Sequence, residues 1–436
     1  MTTDSIFEYI ENIELINTHD HTMPQAQAQK RAQNRSYLYD VILANNNSGF
    51  LSYLDDERWR TTQFDFGDAL GSNEDSRPVS YSEMWKKLEP VIWRGRSASH
   101  FYMFMEGCRN LLGLSFAFPE TEAHWREFSE KMQAANLRAD WYDTVLRKHA
   151  KIERTLVVGR ADPACVEREF FLPLHNMGEF LSGFDSGVLA GLEKQYQATA
   201  STLAEYEQLL HKAFAEAKAK GAVALKDMQA YKRFMNYGYA TRAEAKKAFE
   251  CVSHNGWAMK SINGGDIKAF QDYIMHLILD FAAEFDLPVQ IHTGSPAPTG
   301  QSNPLLLIDL IENHPATKIV ILHCGGAYYQ QFAMTAKYGG NLYYDLAWLL
   351  TGFPGPTGTR RLLEEWLEII PWDKFTWGAD CAVVEETYGT FITARRVLAQ
   401  SLATKIEEGF LAPSLARKIA GMILRDNAID LYKLQL

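Results

Sequence analysis

The sequence predicts an α/β fold, a parallel eight-stranded (β/α)8 barrel with a large helical insertion after its first strand. The chain has 436 residues, 47% of them hydrophobic, which is enough for a large core. Short apolar runs alternate with helical patterns, as expected of parallel strands joined by crossover helices. No G-x-G-x-x-G or G-x-x-x-x-G-K-[ST] motif follows a strand, which disfavours the competing open nucleotide-binding sheet.

Eight apolar or β-branched runs predict the strands, and we treat residues 1–436 as a single barrel domain. The run at Phe170–Asn176 is the weakest of them. The runs are Ile13–Thr18, Lys151–Gly159, Phe170–Asn176, Ala222–Gln229, Pro288–Thr293, Lys318–Cys324, Asn341–Ala347 and Phe375–Asp380.

Helical patterns fill the connections. Asn303 and Pro304 predict a helix start, because Asn caps helices and Pro suits the first turn. Residues 22–150 read mainly as helices, and residues 406–436 as C-terminal helices. Loops after strands form the active face of a barrel, so the insertion at 22–150 should cover the site. The clearest predicted helices are Tyr81–Trp93, Ser97–Leu112, Glu120–Arg147, Thr202–Lys220 and Ile267–Phe285.

Composition excludes several classes of partner. With 44 Lys+Arg against 54 Asp+Glu the net charge is −10, so no basic surface for nucleic acid or an anionic membrane is expected. The five cysteines form no C-x-x-C pair, which argues against a disulfide framework or a thiolate zinc site. Without a signal peptide or membrane span, we expect a cytoplasmic protein acting on small molecules. A homo-oligomer is left open.

Imidazole and carboxylate groups occur at the ends of different predicted strands. His19 and His21 end the first strand and, being two apart, share a face. His292 and His323 are penultimate in two later runs, and Asp380 ends the last one. A barrel gathers its catalytic residues at these strand ends. This donor set predicts one divalent transition metal, with zinc as the first choice. The alternative is that these are unrelated histidines and an aspartate.

The motifs THDH, QIHTG, VILHCG and WGADC make the sequence similar to the amidohydrolase superfamily. It most resembles the branch with metal-dependent decarboxylases and nodulin-type domains fused to glutamine-synthetase-like modules. The resemblance covers the first strand and the chain from about Gly221 onward. It implies one metal bound by His19, His21, His292 and Asp380. It also implies that His323 polarises a substrate carbonyl and that Asp380 transfers the proton.

Lys226 allows three interpretations. In the nodulin-like branch a K---AY-R pattern surrounds this strand, which Lys226, Tyr231 and Arg233 match. The first interpretation is therefore a cation that, with Tyr231 or Arg233, binds a substrate carboxylate. The second is a carboxylated Lys226 that bridges two metals, as in some members of the superfamily. A purely structural lysine comes last, because a buried unpaired cation is costly.

Three further residues have weaker claims to substrate binding. Asp345 and Trp348 lie near the seventh strand's end, where capping and packing explain them equally well. Arg94 in the insertion could clamp a carboxylate, although a solvated helix end is the commoner meaning of such a run.

The leading functional hypothesis is a metal-dependent hydrolase. It would cleave a C–N, amide-type bond of a small carboxylate-bearing substrate through metal-activated water. Non-oxidative decarboxylation of a small aromatic carboxylic acid is the first alternative. Uronate-isomerase-like isomerisation of a sugar acid is the second, because those enzymes also resemble this chain in H-x-H and a helical insertion. A metal-bearing regulatory scaffold is the non-enzymatic alternative.

Overall fold

A computed structural model describes residues 4–45, 80–158, 170–182, 186–254, 264–294, 300–337 and 340–436. Eight strands follow one another in chain order in one sheet. They form a nearly closed parallel barrel, which confirms the predicted fold class. The strands are β1 Leu15–Asp20, β2 Ile152–Val158, β3 Phe171–Asn176, β4 Ala224–Asp227, β5 Val289–His292, β6 Ile319–Leu322, β7 Leu342–Asp345 and β8 Phe375–Thr376.

Parallel pairing aligns the carboxyl ends of the strands. His292 at the end of β5 lies opposite Leu322 at the end of β6. Leu322 in turn lies opposite Asp345, the last residue of β7. All residues of β4, β5 and β6 are buried. The register therefore places the residues that follow these strands at one edge of the sheet.

Strand β8 is shorter than predicted and stops at Thr376. The residues after it pair with β1 instead. The Asp380 N–H donates to His19 O at 2.9 Å, and the His21 N–H donates to Cys381 O at 3.0 Å. One residue before Asp380, the N–H of Ala379 donates to a side chain, Asn17 Oδ1, at 2.8 Å. Side-chain acceptors thus replace part of the regular ladder here.

Helices make up most of the remaining described residues. Residues 46–79 of the predicted insertion, and Gly159 at the end of the second predicted run, lie outside the described residues. None of the described helices is long and apolar enough to cross a bilayer. The helices are α1 Asp4–Glu11, α2 Gln25–Ala32, α3 Tyr37–Asn45, α4 Tyr81–Gly95, α5 Ser99–Leu112, α6 Glu122–Asn136, α7 Gly178–Leu181, α8 Ser186–Tyr196, α9 Leu203–Ala219, α10 Arg242–His254, α11 Gly264–Glu284, α12 Ile308–Asn313, α13 Tyr329–Phe332, α14 Gly355–Trp366, α15 Val384–Glu407, α16 Pro413–Gly421 and α17 Asn427–Tyr432.

The predicted helix over Glu120–Arg147 is broken. Helix α6 ends at Asn136, and a π-helical segment follows at Asp143–His149. The break lets Asn136 Nδ2 and Trp141 Nε1 each donate to Glu385 Oε1 at 2.7 Å. A continuous helix would place these residues on different faces, since positions five apart are not stacked.

The chain divides into two compact units. The first comprises residues 1–155, 347–365 and 377–424. In it α5 crosses α15 with backbone almost touching backbone. A Cβ at Gly389 would lie 2.0 Å from Met103 O, and one at Gly107 would lie 2.3 Å from Glu385 O. Only glycine on both helices permits this approach.

The second unit comprises residues 156–346, 366–376 and 425–436. Its helices α9, α10 and α11 contribute a cluster of buried aromatic side chains. The ring centroids of Tyr206 and Phe270 are 5.4 Å apart, and those of Tyr206 and Phe249 are 5.8 Å apart. As predicted, Asn303 caps a helical turn, and its Oδ1 accepts the Leu305 N–H at 3.0 Å.

His175 on β3 makes the stability of this unit depend on pH. Burial lowers the pKa of His175 to about 4 from its usual 6.5. Between these pH values the imidazole is protonated in the unfolded chain but neutral in the native protein. The free energy of unfolding therefore falls as the pH drops from about 6.5 to 4. His175→Gln should flatten the dependence of the unfolding free energy on pH in this window, by at most about 1.4 kcal/mol per pH unit. Urea titrations of both proteins at several pH values measure it; parallel curves would contradict it.

Candidate metal centre

His19 of β1, His21 directly after β1 and Asp380 after β8 converge in the first unit. His19 Nε2 lies 3.5 Å from Asp380 Oδ1, and His21 Nε2 lies 3.3 Å from the same oxygen. One ligand atom from each of the three residues falls within 4.8 Å of the other two. The two imidazole rings meet edge to face, with centroids 5.2 Å apart. The structure thus brings together three of the four predicted metal ligands.

The donor set fits a divalent transition metal. Two imidazole nitrogens and one carboxylate oxygen are ligands that zinc and its neighbours share, and three protein ligands leave a position for water or substrate. Burial differs among them, with side-chain exposure of 1% for His19, 20% for His21 and 13% for Asp380. The group is therefore partly open to solvent rather than enclosed.

Gly378 lets β1 approach the segment that carries Asp380. A Cβ here would lie 2.6 Å from His19 N and 2.8 Å from His19 O. Gly378→Ala should therefore displace the His19 backbone and weaken metal binding by about 10-fold, as loss of a supporting contact does in other metal sites. Competition with a chromophoric chelator measures the affinity for Zn²⁺. An affinity equal to that of the wild type would show that the backbone absorbs the methyl group.

His292 and His323 form a pair in the second unit. His323 Nε2 lies 3.0 Å from His292 Nδ1, so one imidazole donates a hydrogen bond to the other. The Tyr231 ring packs on His292, with centroids 4.5 Å apart. Among the described residues, His292 is not part of the three-residue group of His19, His21 and Asp380. Its role as a fourth metal ligand stays a prediction, as does that of His323 as a polarising group.

Three predicted site residues follow strands with a backbone in the left-handed region. The angle φ is +64° at His323, +62° at Trp348 and +58° at Asp380. These residues come after β6, β7 and β8 respectively. Non-glycine residues pay for this conformation in energy, and such strain concentrates at functional sites. The functional role of these three residues stays a prediction, because Lys151 and Asp286, which precede strands, have a positive φ as well.

Lys226 is a buried cation on β4, with 1% of its surface exposed. Its neighbour Asp227 is also buried. Burial raises the pKa of Asp227 to about 6, while the N–H of Gln229 and the charges of Lys226 and Arg233 act to lower it. Alternation along the strand directs Lys226 and Asp227 to opposite faces. Binding of a substrate carboxylate by Lys226, or carboxylation of Lys226, stays a prediction.

Arg233 contacts protein groups. Its guanidinium donates to Asp272 Oδ1 at 2.7 Å and to Gln271 Oε1 at 2.9 Å, and it lies over the Tyr237 ring. Its Nε donates to Phe234 O at 2.9 Å. This network is itself a sufficient reason for the arginine, because it neutralises a buried carboxylate. Substrate binding by Arg233 stays a prediction that the contacts do not require.

The remaining predicted substrate-binding residues have different environments. Asp345 is fully buried, and its Oδ2 accepts the Thr376 hydroxyl at 2.6 Å. Trp348 is half-buried, whereas Arg94 is exposed at the end of α4. Arg94 lines a surface cavity of about 530 Å³ together with Lys86 and Trp93. For all three, substrate binding stays a prediction.

One buried polar pair in the first unit could not be found from the sequence. Glu386 Oε1 lies 3.1 Å from His100 Nδ1, and both side chains are largely buried. Burial raises the pKa of Glu386 well above its usual value and lowers the pKa of His100 to about 4. The two residues are far apart in the chain and belong to no spacing motif, so only the folded chain brings them together.

Comparison with known proteins identifies one matching family. Residues 260–434 match the amidohydrolase family, which confirms the resemblance predicted from the strand-end motifs. No curated protein matches the chain. The match includes His292, His323 and Asp380, whereas His19 and His21 precede it.

Three solved structures share the fold over nearly the whole chain. A proposed metal-dependent hydrolase from Lactobacillus casei is 17% identical, with a TM-score of 0.62 and 99% of each chain covered. A uronate isomerase from Thermotoga maritima is 15% identical, with a TM-score of 0.75, covering 99% of this chain and 97% of the other. A glucuronate isomerase from Caulobacter crescentus is 14% identical, with a TM-score of 0.75 and coverage of 100% and 94%. At these identities the likeness shows the fold alone.

Proposed function

We propose that this protein is a metal-dependent hydrolase that cleaves a C–N bond of a small carboxylate-bearing substrate. One observation carries the proposal: His19, His21 and Asp380 converge at the end of β1, and the group is partly exposed. A carboxylate in such a position can both hold a cation and exchange a proton. The match of residues 260–434 to amidohydrolases supports the assignment to a hydrolytic enzyme.

The proposed chemistry divides between the cation and the chain. A divalent metal, for which zinc is the first choice, would polarise the substrate carbonyl and lower the pKa of water. As the C–N bond breaks and a C–O bond to water forms, Asp380 takes the proton from water and passes it to the leaving nitrogen. His323 donates a hydrogen bond to the carbonyl oxygen as negative charge develops there. Lys226 holds the substrate carboxylate.

Isomerisation of a sugar acid is the second candidate. The observation that favours it is the fold likeness to uronate and glucuronate isomerases, whose whole length the chain nearly spans. In that reaction a proton moves between two neighbouring carbons of the substrate, and no bond to water is formed. Asp380 would then exchange its proton with a carbon or hydroxyl group rather than with a leaving nitrogen.

Turnover by the metal-loaded chain tests the proposal. The protein is stripped with a chelator, reloaded with Zn²⁺, Co²⁺ or Mn²⁺, and incubated with N-acyl amino acids, γ-glutamyl amides, aromatic carboxylates and uronates. We expect amine or ammonia release that requires metal and stops when the metal is removed. Aldose-to-ketose conversion without amine release would establish the second candidate. Release of carbon dioxide alone would overturn both in favour of decarboxylation. Two bound metals per chain would favour the carboxylated Lys226.

A further inference from the structure

Asp20 lies between the two metal-binding histidines but faces away from them. Its side chain is fully buried. Strand alternation places it on the face of β1 opposite to His19 and His21. A buried carboxylate is stable only where donors surround it, so its contacts indicate its role.

Both carboxylate oxygens of Asp20 accept hydrogen bonds. Oδ1 accepts the backbone N–H of His21 at 2.9 Å and that of Cys381 at 2.7 Å. Oδ2 accepts Asn17 Nδ2 at 2.6 Å and the Thr387 hydroxyl at 3.2 Å. One side chain thus joins β1 to the segment after β8 and to helix α15.

Hydrogen bonds with β1 residues fix the peptide groups on both sides of Asp380. The preceding peptide is held by His19, whose O accepts the Asp380 N–H at 2.9 Å. One peptide earlier, Asn17, which also donates to Asp20, accepts the Ala379 N–H through Oδ1 at 2.8 Å. The following peptide is held by Asp20 through the Cys381 N–H. Between them Asp380 has φ of +58°, a conformation that a free chain seldom adopts. The hydrogen bonds therefore stabilise the strained backbone from which the Asp380 carboxylate reaches His19 and His21.

We propose that Asp20 is a positioning residue of the metal centre, which holds Asp380 in the left-handed conformation needed for metal binding. The inference rests on the proposed metal function. It differs from a purely structural role, in which Asp20 would only tie β1 to α15. A structural strut would stabilise the fold equally whether or not residue 380 can bind a metal.

A double-mutant cycle separates these roles. The affinity for Zn²⁺ is measured by chelator competition for the wild type, Asp20→Ala, Asp380→Ala and the double variant, with circular dichroism as a check of folding. We expect Asp20→Ala to weaken binding by about 10- to 100-fold in the wild-type background. In the Asp380→Ala background the same change should have less than about a 3-fold effect. Equal losses in both backgrounds, or a lower melting temperature with unchanged affinity, would overturn the proposal.

A rescue experiment serves if Asp20→Ala fails to fold. Asp20→Asn keeps an oxygen that can accept the two backbone N–H groups. Its amide nitrogen, however, is a donor that faces another donor, Asn17 Nδ2. Adding Asn17→Asp restores a donor and an acceptor there and still leaves an oxygen for the Ala379 N–H. We expect Asp20→Asn to lower affinity by about 10-fold and the double variant to recover most of it. The visible spectrum of bound Co²⁺ should change and recover in parallel; an uncorrected loss would contradict the proposal.

The outcome for wild-type protein distinguishes this inference from the proposed function. If the wild type binds neither Zn²⁺ nor Co²⁺ tightly, the metal centre itself is refuted. If the wild type binds them tightly and the Asp20 variants bind equally well, only the positioning role is refuted. Neither reading depends on the identity of the substrate.

Discussion

Asp380→Asn should abolish the function of the metal centre while leaving the protein folded. The change replaces the carboxylate, whose Oδ1 faces both His19 Nε2 and His21 Nε2, by a neutral carboxamide. An amide is a poorer ligand and cannot take a proton from water. We expect Zn²⁺ affinity to fall by about 100-fold or more, since loss of an outer hydrogen-bond partner alone costs 10- to 100-fold. For turnover of whichever substrate is identified, kcat/KM should fall by about 1000-fold even at saturating metal.

Asp140→Asn provides the matched control. Asp140 is an exposed carboxylate in the same unit, paired with Arg138 at 2.8 Å. Because exposed ion pairs contribute little, this change should leave metal affinity and turnover within about 2-fold of the wild type and the melting temperature essentially unchanged. An Asp380→Asn protein with wild-type kcat/KM would show that the three converging residues are not the reactive centre.

Gly389→Ala should be the most destabilising single-methyl change among the glycines discussed here. The new Cβ of residue 389 would lie 2.0 Å from Met103 O. Both atoms belong to helices, so neither can move without its helix. The helices α5 and α15 must move apart, and the contacts around Gly107 are lost with them. We expect a loss of about 3 kcal/mol in unfolding free energy, at the upper end of overpacking effects. Urea denaturation followed by circular dichroism measures it.

Gly191→Ala is the same chemical change with the opposite expected sign. Gly191 lies in helix α8, and a Cβ there would meet no atom within 4 Å. Alanine should therefore stabilise this helix by about 0.5–1 kcal/mol, because glycine loses more backbone entropy on folding. A Gly389→Ala protein as stable as Gly191→Ala would contradict the close helix crossing.

Strand positions were predictable because buried parallel strands are short apolar runs. Seven of the predicted runs contain their strand entirely, for example Lys318–Cys324 around β6. The first predicted run, Ile13–Thr18, instead stops short of His19 and Asp20, which belong to β1. Polar residues at a strand end hide its boundary, since there the hydrogen bonds continue after the apolar pattern has stopped.

Part of the metal group was also predictable, since His19 and His21 share a face of a strand. What the sequence could not supply is the arrangement around it. The contacts of Asp20 with Cys381 and Thr387 cross from the first strand to residues more than 360 positions later. The hydrogen bond between His292 and His323 likewise depends on side-chain rotation rather than on spacing. Such contacts follow from the register of the closed sheet, which no local pattern encodes.

The placement of the proposed metal ligands has a consequence for biosynthesis. His19 and His21 leave the ribosome long before Asp380, just as Asp20 precedes its partner Cys381 by 361 residues. Until Asp380 is made, a nascent chain therefore carries the two imidazoles without the carboxylate that would complete the set of three ligands. Ion capture by all three proposed ligands would have to wait until Asp380 has been made, and it would then favour only chains in which β1 has paired with the segment that carries Asp380. The ion would act as a late lock on chain closure as well as a reagent.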